Sequence, residues 1–134
     1  MEMIKVFEED KHRLGFDSMD TLHEEFLDIY NSVDLNSIEN IKHVLTKLYH
    51  HTQNHFRIEE ELMDKIHYPR TKEHKDEHSK VLAEMDYFLN LKSTIFGQNM
   101  IKAYYKEQLT HWFDLHLISM DSDLASCAKK EETL

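Results

Sequence analysis

Histidine is over-abundant in this 134-residue chain, with eleven residues against sixteen Lys and Arg together. Two pairs, His55 with Glu59 and His74 with His78, stand at i,i+4 spacing. On a helix such positions lie one above the other and aim at a common point. In a chain rich in His and Glu, pairs of this kind arise by chance, and an exposed pair is ordinarily a solvated face. Here both fall on an apolar seam, as do His23 and His116. Burying imidazoles and a carboxylate without partners is costly. A metal ion would satisfy them together, since neutral imidazole and carboxylate are common ligands.

The seams predict the elements that must carry these groups. Met19, Leu22, Phe26, Ile29 and Val33 recur on one face of a 3.6-residue period, with Ser18 placed to cap, which predicts a helix over about 18–33. Asn36 or Ser37 caps the next, over about 37–66, whose seam runs Ile38, Ile41, Leu45, Leu48, Thr52, His55, Glu59, Leu62 and Ile66. Tyr68 and Pro69 end it, because proline lacks an N–H and restricts the residue before it. The third helix, about 70–91, continues the stepping through His74, His78, Leu82, Met85 and Leu89, and the fourth, about 98–127, through Ile101, Tyr105, Leu109, Trp112, His116 and Met120. Residues 1–17, interrupted by Gly15, read as an N-terminal arm, and the tail after Cys127 as polar and frayed. Short connections predict an all-α fold of one domain over 1–134, an up-down-up-down antiparallel four-helix bundle. Counted along that path at a rise of about 1.5 Å per residue, the inward polar groups can meet in one layer.

Composition narrows the function. The net charge of −10 would repel nucleic acid and anionic membranes, so neither is expected as a partner. No apolar run approaches the roughly 20 residues of a membrane span. The acidic start MEMIKVFEEDK is unlike a signal peptide, so a cytoplasmic location is expected. The single cysteine, Cys127, cannot form an internal disulfide. His12, His43, His50, His51, His67 and His111 are expected on the surface or in linkers, and Met63, Met85 and Met120 in packing. Two Gly and one Pro are too few for the turns of a β-sandwich.

The chain resembles the hemerythrins, the single-domain bacterial members in particular. The resemblance spans nearly all of it: DxxH at Asp20 and His23, HFxxEExLM over 55–63, Tyr68 with Pro69, HxxxH at His74 and His78, WxxxH at Trp112 and His116, and HxxxxD ending at Asp121. Two departures stand out. Val6 and Phe7 occupy the arm region where relatives often have tryptophan, and Leu22 the place where bacterial relatives often have glutamine.

The resemblance implies a non-haem centre of two iron ions. His74, His78 and His116 would hold one, His23 and His55 the other, with Glu59, Asp121 and a hydroxide or oxo group bridging both. An i,i+5 offset turns about 140° around an ideal helix, and a local π-type turn between His116 and Asp121 would close that angle. These ligands fill eleven of the twelve positions of two octahedral ions, so one slot opens on the two-histidine ion. Reversible binding of dioxygen, as a hydroperoxide, is the implied activity, for storage, delivery or scavenging, and small anions would compete. Leu22, Phe26, Phe56, Trp112, Phe113 and Leu117 are the expected apolar pocket, without a proton donor, which favours a carrier over an enzyme. The alternatives are oxygen or redox sensing for a separate protein partner, peroxide or nitric oxide chemistry on the same centre, or a purely structural bundle. A ferritin-like site is disfavoured because ExxH occurs only at Glu9 and His12, in the arm. Ligand types alone do not choose iron over zinc.

Overall fold

A computed structural model describes Lys5 and residues 7–132, and of Glu132 the backbone only. Among the described residues every regular element is a helix. A single turn, α1 (Glu9–His12), interrupts the arm that the sequence reading left irregular. The rods are α2 (Asp17–Asn31), α3 (Ile38–Lys65), α4 (Thr71–Leu89), and a continuous fourth rod. That rod comprises α5 (Ile95–Ala103), a π turn (Tyr104–Gln108), α6 (Leu109–His116), a second π turn (Leu117–Asp121) and α7 (Ser122–Glu132).

Cross-rod pairs fix the directions. Tyr30 meets Tyr105, Phe26 stacks on Phe113 and His23 meets Asp121, so α2 and the fourth rod run oppositely. Lys42 reaches Ser93 while Lys75 reaches Asp64, so α3 and α4 do as well. The core of the half away from the histidines holds Leu45, Leu48, Met85, Ile101 and Leu109, all fully buried. Met63, also fully buried, packs with Met19 and Leu124 beyond the histidines.

Several ends differ from the sequence expectation. Ser18 does not cap α2; Phe16 holds the cap position with no side-chain bond. The Asp20 carboxylate instead accepts the amides of Leu14 and Gly15 at 2.7 and 2.9 Å, tying the arm to the first turn. Gly15 has φ +74°, a conformation glycine adopts at little cost. Ser37 does cap α3, accepting the amide of Asn40 at 3.1 Å. The fourth rod starts earlier than expected because Thr94 caps it, accepting the amide of Gly97 at 3.0 Å. A Cβ on Gly97 would lie 2.1 Å from the carbonyl oxygen of Lys92, so this tight start requires glycine. At the other end α7 continues past the half-buried Cys127 to Glu132, with Leu124, Ala125 and Ala128 buried and Lys129 Nζ donating to the carbonyl of Leu14. No helix among the described residues is long and apolar enough to cross a membrane.

Candidate metal centre

All four rods contribute. α2 carries His23, α3 carries His55 and Glu59 one turn apart, α4 carries His74 and His78, α6 ends on His116, and the second π turn ends on Asp121. All seven side chains are buried, none more than 5% exposed. In a regular helix Asp121 would diverge from His116. The π turn widens the backbone ring and brings the two back together, with His116 Nε2 3.1 Å from Asp121 Oδ1.

The donor atoms form two groups, within each of which all atoms lie within 4.8 Å of one another. One is Glu59, His74, His78, His116 and Asp121; the other is His23, His55, Glu59 and Asp121. The two carboxylates belong to both groups, and each gives a different oxygen to each. Glu59 Oε1 lies 3.2 Å from His78 Nε2, whereas its Oε2 lies 2.5 Å from His55 Nε2. Asp121 Oδ1 lies 3.1 Å from His74 Nε2, whereas its Oδ2 lies 2.9 Å from His23 Nε2. A carboxylate shared in this way is placed to bridge two ions.

The residues fit a metal. Glu59 Oε1 and His78 Nε2 are buried and close, yet neither takes part in a hydrogen bond. His74 Nε2 and His116 Nε2 face one another at 3.2 Å, although a neutral imidazole has one lone-pair nitrogen and one N–H. Buried imidazole nitrogens and carboxylate oxygens gathered this closely, two of them without a hydrogen bond, suit a shared cation. Imidazole and carboxylate together suit a first-row transition ion. Burial would raise the pKa values of Glu59 and Asp121, and repulsion from Asp121 adds to it for Glu59. The surrounding imidazoles outweigh both effects and hold the carboxyls below their ordinary range. Burial likewise works against charge on His23 and His116, but Asp121 and Glu59 prevail and raise both. A cation would replace those protons.

Neighbours hold the ligands in place. His78 Nδ1 lies 2.9 Å from Glu60 Oε2, the outer carboxylate contact that orients a metal-bound imidazole. Phe56 stacks on the His78 ring at 3.6 Å and Trp112 on the His116 ring at 5.0 Å.

A cavity of about 10 Å³ adjoins the site, room for a single water-sized body. Four expected pocket residues line it, Phe26, Phe56, Trp112 and Phe113, together with His23, His55, His116 and Asp121. Leu22 and Leu117 are buried but do not line it. Thr52 does, a residue the sequence reading placed on the seam without assigning it to the pocket.

His43, His50, His67 and His111 are exposed and His51 is half-buried. His12 corrects the expectation of a surface arm residue, being 0% exposed. Its Nδ1 accepts the amide of Glu8 at 2.9 Å and its Nε2 lies 2.8 Å from Asp114 Oδ1, so the arm supplies one partner and the fourth rod the other. Phe7 of the arm packs against the core, whereas Val6 lies outside the described residues.

Fold and site define a helical-bundle protein with a buried metal centre built from histidine and carboxylate. The family model for the hemerythrin HHE cation binding domain matches residues 14–128, and the chain belongs to the hemerythrin family. No curated protein and no solved structure matches it.

Proposed function

We propose that this protein binds dioxygen reversibly at a pair of iron ions, as a storage, delivery or scavenging protein in the cytoplasm. His74, His78 and His116 would hold one ion and His23 and His55 the other, with Glu59, Asp121 and a hydroxide or oxo group between them. Ferrous iron at both positions would supply the two electrons that dioxygen binding draws on.

The asymmetry of the donor groups carries this reading. One group has five protein donors and the other four. The cavity is lined by both imidazoles of the poorer group, His23 and His55, but by only His116 among the three of the richer group. The side with the fewest ligands therefore faces the space a small molecule can enter. The rings of Phe26, Phe56, Trp112 and Phe113 keep bulk water from that space. Apart from the ligands themselves, no carboxyl, imidazole or amine lines it to hand over a proton. Carriage is thus favoured over turnover, and dioxygen or a small anion is the expected partner.

The test is metal analysis of the anaerobically reduced protein, then its absorption spectrum as air is admitted and removed. Two irons per chain and a charge-transfer band that appears and fades reversibly would support the reading. A single zinc per chain, or steady consumption of peroxide or nitric oxide, would overturn it.

A further inference from the structure

Thr52 supplies the one hydroxyl-bearing side chain among the residues lining the cavity, and it is 1% exposed. Its Oγ1 has no hydrogen-bond partner, which is costly for a buried hydroxyl. A helical Ser or Thr usually escapes that cost by donating to the carbonyl one turn back. This chain uses that device repeatedly. Thr46 donates to Lys42 at 2.8 Å, Thr110 to Lys106 at 3.2 Å and Ser119 to Leu115 at 2.6 Å. Thr52 has Leu48 four residues back and makes no such bond. If the position only filled space, valine would fill it equally well without leaving a hydroxyl unpaired.

The walls around it leave no donor or acceptor it could serve except the metal ligands and whatever occupies the cavity. We propose that Thr52 is a ligand-positioning residue, whose hydroxyl donates a hydrogen bond to the outer atom of a small acceptor molecule of the dioxygen or azide class that reaches from the metal site into that space. The proposal rests on the cavity being the ligand site, as argued above. A hydroxyl is too weak an acid to give up its proton near neutral pH. Thr52 can therefore orient a ligand and lengthen its stay without protonating it, which suits a carrier. It also selects by chemistry, favouring molecules that present an acceptor atom to the cavity.

The experiment compares the full-length parent with Thr52→Val and Thr52→Ser, each loaded with iron, by titrating azide and following absorbance. Thr52→Val should keep the parent's iron content and bind azide about tenfold more weakly, the loss expected for one hydrogen bond to a charged acceptor. Thr52→Ser, which restores the hydroxyl, should stay within about threefold of the parent. Melting of the metal-free proteins gives a readout without iron. There Thr52→Val should melt at the parent's temperature or above, since it removes an unpaired buried group. Equal or tighter azide binding by Thr52→Val would overturn the proposal and leave the ligand site standing. Loss of iron, or a clearly lower metal-free melting temperature, would overturn it too, because the hydroxyl would then serve the scaffold. An iron-loaded parent that binds no azide would remove the ligand site itself and the proposal with it.

Discussion

The fourth rod contains two π turns, and they serve different ends of the bundle. In the first, Tyr104–Gln108, Tyr105 faces Tyr30 with rings stacked at 4.6 Å. The Tyr30 hydroxyl donates to the Tyr105 carbonyl at 2.9 Å and the Tyr105 hydroxyl to the Tyr30 carbonyl at 2.5 Å. Burial pushes the Tyr30 phenol up to about 12 and the Tyr105 phenol higher still, so both remain neutral donors. In the second, Leu117–Asp121, the same widening of the backbone delivers Asp121 to the histidines, where Glu59 Oε1 and His78 Nε2 lie 3.2 Å apart without a hydrogen bond. The first turn closes its polar groups on each other, and the second feeds Asp121 into a cluster that still has unpaired atoms on Glu59 and His78. A buried polar cluster that satisfies itself is scaffold, and one that does not marks the place for a ligand.

That contrast can be broken at either end. The largest effect is expected from Glu59→Ala, which removes the carboxylate shared by both donor groups. If the site holds the two ions proposed, metal content should fall from two per chain to near zero, and thermal stability with it, because metal binding and folding are linked. His78→Ala, which touches one group only, should leave about one ion per chain by the same analysis. Retention of both ions in Glu59→Ala would refute the shared-carboxylate geometry.

Next comes pH. In the metal-free chain the raised pKa values of His23 and His116 contribute stability that is fully present below about pH 6.5 and lost as pH rises through the raised values. The lowered Glu59 and Asp121 contribute stability present above the ordinary carboxylate range and lost on acidification. Raising the pH from below about 6.5 through the raised values therefore strips the metal-free site of its compensating positive charge, while bound ions retain theirs. The gap in melting temperature between loaded and metal-free protein should widen over that interval. A constant gap would show that the carboxylates do not depend on imidazolium for balance.

At the self-satisfied end, Tyr30→Phe and Tyr105→Phe should each cost about 1 kcal/mol, lowering the melting temperature by roughly 4 °C apiece, with metal content unchanged. Loss of metal there would mean that the two turns are coupled. The smallest effect is expected from Asp114→Asn. Asp114 gathers Lys5, Lys11 and His12 onto the fourth rod. Burial would raise its pKa, but those three groups prevail and lower it. The variant should lose about 1 kcal/mol or less, release the arm to limited proteolysis and keep its metal.

The rods and six of the seven candidate ligands were legible because both depend on local spacing. Apolar residues stepping by three and four define a face whatever the partner, and His23, His55, Glu59, His74, His78 and His116 lie on those faces. Asp121 does not follow from the period of a regular helix. It was reached through the resemblance, and its offset of five from His116 pointed to the π turn that the structure contains. No comparable spacing announces the first π turn, since Tyr105 and Leu109 read as ordinary helical stepping.

The order of the helices, the inward histidines and the chemistry those histidines admit were determined by the chain's own periodicity. Tertiary packing alone decided which oxygen of Glu59 and of Asp121 faces which group, and that His12 is buried through Asp114, 102 positions away. It also decided that Thr52 lines a cavity with its hydroxyl unpaired. These depend on how distant rods approach and which rotamers they leave room for. A repeating pattern along one rod carries no information about the surface of another.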